Sequence, residues 1–186
     1  KGLLEKHGTM VDATIIEAPP GRPRPDGTHS HDTDASFTST HGVPHHGYKG
    51  HIAADLSGVV TDDRFGTAEE HDSNHIDDLT MHERKPVLAD SACSKQERRR
   101  ELQARGVIDG IIYKRHRGQA KLLAWQGRWN KLVSHQRARV EHPTGMMKQQ
   151  LGYRRMRYRG TERNAFDFAL ILTACNIKRS LSLRAA

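Results

Sequence analysis

Apolar residues along the chain recur in short runs separated by long polar stretches, a pattern that predicts a folded α/β domain with extended loops. Residues 9–16, TMVDATII, are β-rich and nearly all apolar, as in a buried central strand, yet Asp12 stands in their middle. A carboxylate there is costly unless something neutralises it. Residues 18–47, dense in Pro, Gly, Ser, His and Asp, are expected to form a long polar loop. Tyr48–Asp55 and Val59–Phe65 then read as two strands joined at Leu56-Ser57-Gly58, a hairpin whose acids Asp55, Asp62 and Asp63 would lie on its surface. His71–His82 fits a helix with Ile76 and Leu79 as its apolar stripe, and Pro86–Ala89 a short strand ending at Asp90.

Ser94 and Glu97 have capping-box spacing at the head of a helix over ERRRELQAR that stops at Gly106. Val107–Tyr113 reads as one more strand, followed by a turn at KRHRG and a helical region from about Gln119. The last element, Thr161 to about Leu183, carries Ala165, Phe168, Ala169, Leu172 and Cys175 or Asn176 on one face, as a docking helix would. This order predicts one domain with a mixed sheet in which the strands bearing Asp12 and Asp90 lie side by side. No internal repeat is present.

Charge divides the chain sharply. Residues 26–90 hold four Lys and Arg against thirteen Asp and Glu, whereas residues 91–186 hold twenty-two against six. A half with net charge +16 calls for a polyanion, and its basic residues are interleaved with Trp125, Trp129, Tyr153 and Tyr158, as on surfaces that follow a nucleic-acid backbone. No apolar run approaches the ~20 residues of a membrane helix, and the N-terminus lacks signal-peptide architecture. Cys93 and Cys175 form no CxxC pair, which argues against a disulfide framework or a structural zinc site and fits a reducing cytoplasm. Histidines gather at 29, 31, 45 and 46 and at 71, 75 and 82, but without HExxH or a Cys partner they read as loop and surface residues.

The candidate chemistry lies in acids. Between Arg128 and Gly160 there are nine Lys and Arg and one carboxylate, Glu141. On an ideal helix Arg137, Glu141 and Lys148 fall within roughly 40° of one another, although Pro143 is expected to kink or restart that helix. Asp12, Asp90 and Glu141 can converge only if a divalent cation offsets their repulsion, and an all-oxygen donor set favours two Mg²⁺ or Mn²⁺ ions. Such a pair serves in-line displacement at phosphorus.

VDATII around Asp12, ADSAC around Asp90 and RARVEHPTGMMKQQLGYRRMRYRG around Glu141 resemble the three catalytic regions of bacterial insertion-sequence transposases of the DDE class, most closely the insertion-sequence-five family. The resemblance covers nearly the whole chain. It implies a ribonuclease H-like fold, a divalent-metal cofactor, and cleavage and rejoining of transposon-end DNA, with Asp12, Asp90 and Glu141 as the metal-binding acids. Arg137 and Lys148 match the family's basic positions and are expected on DNA. Arg139, His142, Arg154, Arg155, Arg157, Arg159, Lys114 and Arg115 are further candidate phosphate contacts. The implied partners are transposon ends and target DNA, with a homodimer or larger assembly on DNA, in the cytoplasm at the nucleoid.

Two positions differ from the family's signature. Ser134 stands where it has Tyr, and Asp90-Ser91-Ala92-Cys93 where it often has Asp-x-Gly-Tyr. The chain also opens directly into its first strand, as a fragment lacking an N-terminal recognition region would. A second reading is therefore an inactive remnant that binds DNA or oligomerises without catalysis, and a third is a repair or recombination nuclease on the same fold.

Overall fold

The computed structural model describes residues 8–23, 25, 29–40, 42–81, 86–115, 117–137 and 141–185, without the side chains of 22, 23, 29, 30, 141 and 142. The strands are β1 (Thr9–Glu17), β2 (Arg22–Pro23), β3 (His29–Ser30), β4 (Ser36–Thr40), β5 (Val43–Asp55), β6 (Val60–Thr67), β7 (Val87–Ala89) and β8 (Asp109–Ile111). The helices are α1 (Ile76–Thr80), α2 (Gln96–Ala104), α3 (Ala124–Arg137), α4 (Glu141–Gly145) and α5 (Thr161–Ala185). A π-helical turn, Met146–Gln150, continues α4.

β1 is central because its apolar residues serve both faces of the sheet. Met10, Ile16 and, from the paired strand β5, Tyr48 and Ile52 are buried with Val133, Phe168 and Leu172 of α3 and α5 on one side. Val11 and Ala53 pack with Ile76, Leu79 and Leu102 of α1 and α2 on the other. β1 runs antiparallel to β5 from Thr9–Asp55 to Glu17–Gly47 and parallel to β7, which in turn runs parallel to β8. On the far side of β5, β4 covers its first residues and β6 its remainder. The chain thus has the expected α/β, ribonuclease H-like architecture, a mixed sheet flanked by helices.

α5 docks through the predicted face: Phe168, Leu172 and Cys175 are buried, and Asn176 bonds both the amide and the carbonyl of Val60. Gly50 permits this approach, because a Cβ there would lie 2.3 Å from the Phe168 ring. Burying a side chain the size of Phe168 stabilises the fold by about 1.5–3 kcal/mol.

Several elements differ from the sequence expectation. Part of the stretch 18–47 is strand, since β4 and the start of β5 form an edge hairpin of alternating Ser, Thr and His that its loop-like composition conceals. Within it, Asp32 accepts a hydrogen bond from the Tyr48 hydroxyl at 2.8 Å, and Asp34 one from the Thr161 amide at 2.9 Å. Asp34 therefore satisfies a free amide at the head of α5. The helix foreseen over 71–82 shortens to a 3-10 turn, Asp72–Asn74, and α1, with His82 outside the described residues. Ser94 makes no capping box: Lys95 is the N-cap of α2, and the Ser94 hydroxyl accepts from Arg99. β8 is shorter than predicted, and the helix expected from Gln119 begins at Ala124.

Asp55 is a further correction. It is 4% exposed, and one carboxylate oxygen accepts from the Ser57 amide, the Ser57 hydroxyl and the Val59 amide at 2.9, 2.6 and 2.9 Å, closing the β5–β6 turn. Asp55→Ala orphans these donors, and urea unfolding is expected to register a loss of about 2–4 kcal/mol. A loss under ~0.5 kcal/mol would show that the turn does not depend on this carboxylate.

Candidate active site

The last β1–β7 pair is Met10–Leu88, so two residues further along each parallel strand come Asp12 and Asp90. Neighbouring strands lie about 4.8 Å apart, which brings residues 78 positions apart in sequence to the same level of the sheet. Asp90 ends β7 and caps the 3-10 turn Ser91–Cys93, its carboxylate accepting from the Ser91 amide at 2.5 Å. That turn is fixed from below by Arg98, 4% exposed, whose guanidinium donates to the carbonyls of Cys93 and Ser73 and binds the carboxylate of Asp77.

One cation bridges the two aspartates. Arg137, the last residue of α3, places one guanidinium nitrogen 3.9 Å from Asp12 Oδ1 and the other 3.7 Å from Asp90 Oδ1. Its Nε is buried without a hydrogen-bond partner among the described residues. α4 opens four residues later at Glu141, and the π turn behind it carries Lys148. Burial lowers the pKa of the Lys148 amine, while the nearby Asp12 carboxylate favours its charged form. The break expected at Pro143 is not found: α4 runs through it from Glu141 to Gly145, and the winding changes only at Met146. π turns inside helices are frequent at functional sites.

β7 is only three residues long, so among the described residues no strand pairs with that edge of β1 beyond Met10 until Arg154–Met156 rejoins it around Glu17. That opening is a groove of about 910 Å³. Its lining includes Ala13, Thr14 and Ile15 of β1, Lys49 and Asp72 on one wall, and Lys148, Arg154 and Arg155 on the other. Arg155 pairs with Glu17 at 3.0 Å and Lys49 with Asp72 at 3.0 Å. At the aspartate end a smaller cavity of about 90 Å³ is lined by Asp12, Asp90, Asp72, His51 and Cys93 among others. His51 is 1% exposed, and burial together with the neighbouring His75 lowers its pKa to about 4, so the ring is neutral near pH 7.

The structure therefore brings together Asp12, Asp90 and Arg137, with Lys148 near Asp12, while Lys148, Arg154 and Arg155 line the groove. Lys114 lines a different groove with Trp125, and Arg115 turns back to the Ala120 carbonyl. Arg157 lies over the Tyr153 ring and Arg159 is exposed, both outside the lining of the first groove. Arg139 and the side chains of Glu141 and His142 lie outside the described residues. Tyr153, expected on a nucleic-acid surface, is buried in the core instead, and Trp129 is half-buried against it. Lys49, His51 and Asp72 escaped the sequence reading, although a Lys and a His at alternate positions of an otherwise apolar strand were its available signal.

Among the described residues no group of three or more His, Cys, Asp or Glu forms a metal-binding cluster. The pair Asp12 and Asp90 nevertheless has the donor chemistry for a hard divalent cation, since both carboxylates already approach a single positive charge. No solved structure matches the chain. A protein-family model described as the transposase DDE domain does match it, over residues 4–177, and the chain accordingly belongs to that family of DDE transposases.

Proposed function

We propose that the chain is the catalytic domain of an insertion-sequence transposase, of the insertion-sequence-five type by its three resembling segments, which cuts DNA at element ends and transfers the freed 3′-hydroxyl to target DNA. The observation that carries this reading is the convergence of Asp12 and Asp90 on the one guanidinium of Arg137. Asp12, Asp90 and Glu141 are the residues that would hold one or two Mg²⁺ or Mn²⁺ ions. When bound, such ions supply Lewis acidity at phosphorus and a more acidic nucleophile.

The chain's own groups do the positioning. Arg137 offsets the mutual repulsion of the two carboxylates and presents a planar donor fork suited to phosphate oxygens. Lys148, Arg154 and Arg155 line the groove and are assigned to contacts with the phosphates of the bound strand. Lys114, Arg115, Arg139, His142, Arg157 and Arg159 are assigned to outer contacts with the duplex. The substrate places the reaction in the cytoplasm, at the nucleoid. Among the described residues no helix is long and apolar enough to cross a membrane.

Nicking of supercoiled plasmid is expected to require Mg²⁺ or Mn²⁺ and to fall at least ~100-fold in Asp12→Ala, Asp90→Ala and Glu141→Ala, with melting temperatures recorded for each variant. Full cleavage by any folded variant would remove that residue from the site, and by all three would remove the reading. Independently of turnover, Mn²⁺ at 100 times its Kd is expected to stabilise the wild type by about 2.7 kcal/mol and Asp12→Asn not at all. Equal stabilisation of both would place the ion elsewhere.

DNA binding tests the groove separately. Replacing Lys148, Arg154 and Arg155 together by Ala is expected to flatten the dependence of log K on log salt by about 2 to 3, since each phosphate contact contributes about 0.9. An unchanged slope would place the DNA on another face.

A further inference from the structure

A second groove, of about 690 Å³, lies beside β8 and is lined by α2 and the first turn of α3. Gln96, Arg99, Arg100 and Gln103 recur at i, i+3, i+4 and i+7, so one face of α2 contributes them together. Tyr113 and Lys114, just after β8, and Trp125 of α3 line it as well. The aromatic pair is held in place by polar partners. Arg99 lies 4.0 Å over the Tyr113 ring, donates to the Ile111 carbonyl at 3.0 Å and pairs with Asp109, the one acid in the lining. Asn130 accepts from the Tyr113 amide at 2.8 Å and donates to its carbonyl at 3.0 Å. Trp125 stands edge-on to Tyr113 with ring centroids 5.1 Å apart, and it remains 50% exposed.

Three properties of this groove point to one occupant. A half-exposed indole on a fixed support gains most from a flat apolar partner laid against it. With Arg99 and Asp109 cancelling, the charge left in the lining is that of Arg100 and Lys114, both exposed and without an ion pair among the described residues. Gln96 and Gln103 add amide donors and acceptors of the kind that meet base edges. A nucleotide supplies the ring, the anion and the polar edge at once. In a duplex the base faces are covered by their neighbours, so the base that reaches a recessed indole is an unpaired one.

We propose that this groove binds an unpaired nucleotide of DNA, with its base stacked on the Trp125 indole and its phosphate against Lys114 and Arg100. The proposal rests on the reading of DNA as the substrate, but its test needs neither metal nor cleavage, so the two can fail separately. Trp125 and Trp129 are the only tryptophans in the chain, which gives the groove its own optical signal.

Titrating the intact chain, free of divalent metal, with an oligothymidylate of ~8 nucleotides is expected to quench tryptophan fluorescence in the wild type and not in Trp125→Phe, a comparison that leaves Trp129 untouched. By fluorescence anisotropy, Trp125→Ala is expected to weaken single-strand binding about 5- to 150-fold while changing duplex binding less than ~2-fold. Trp125→Phe, which keeps a stacking ring, is expected to recover most of that loss, and Lys114→Ala to flatten the single-strand salt slope by about 0.7. Melting temperatures recorded for each variant are expected to match the wild type, since both side chains are exposed. Quenching that persists in Trp125→Phe, equal losses on single strand and duplex in a folded Trp125→Ala, or equal quenching by oligoglutamate, which would make this an acidic-peptide site, would each overturn the proposal.

Discussion

Two like charges held at one level on adjacent parallel strands are the constraint on which the rest of the molecule depends. Sheet spacing fixes how close Asp12 and Asp90 stand, and their repulsion must be met by positive charge. The protein meets part of it with Arg137, 3.9 and 3.7 Å from the two carboxylates, at the end of a helix packed on the sheet through Val133 and Trp129. At these distances, and with its Nε unpartnered among the described residues, the guanidinium bridges the two carboxylates electrostatically.

Everything around this pair keeps it in place or keeps its approach open. Arg98 secures the turn after Asp90 to the segment carrying Asp72 and Asp77. Among the described residues β7 pairs with β1 only as far as Met10, and Ala13, Thr14 and Ile15 beyond it line the basic groove. The opposite end of the same core seats α5 against Gly50.

Much of this was legible in sequence. TMVDATII gave away β1 and the anomaly of Asp12, VLAD gave the neighbouring strand, and the spacing of Phe168, Leu172 and Cys175 gave the buried face of α5. These are local patterns whose period directly reflects packing. What escaped depended on distant partners. Asp55 looks like any hairpin acid until the turn folds around it, and Asp34 like a loop residue until α5 arrives. Ser94 has capping-box spacing, but it stands one residue before the N-cap and its hydroxyl is taken by Arg99. Composition also misplaced Tyr153, since aromatic residues amid basic ones serve a core as readily as a surface.

The central claim is that Asp12 and Asp90 together hold a divalent cation against which a phosphodiester reacts. Anomalous diffraction from crystals soaked in Mn²⁺ addresses it most directly. The account predicts a manganese peak within about 2.0–2.6 Å of a carboxylate oxygen of each aspartate, with the Arg137 guanidinium moved away from that point. A peak elsewhere, or none there at saturating Mn²⁺ with the Arg137 bridge intact, would contradict it.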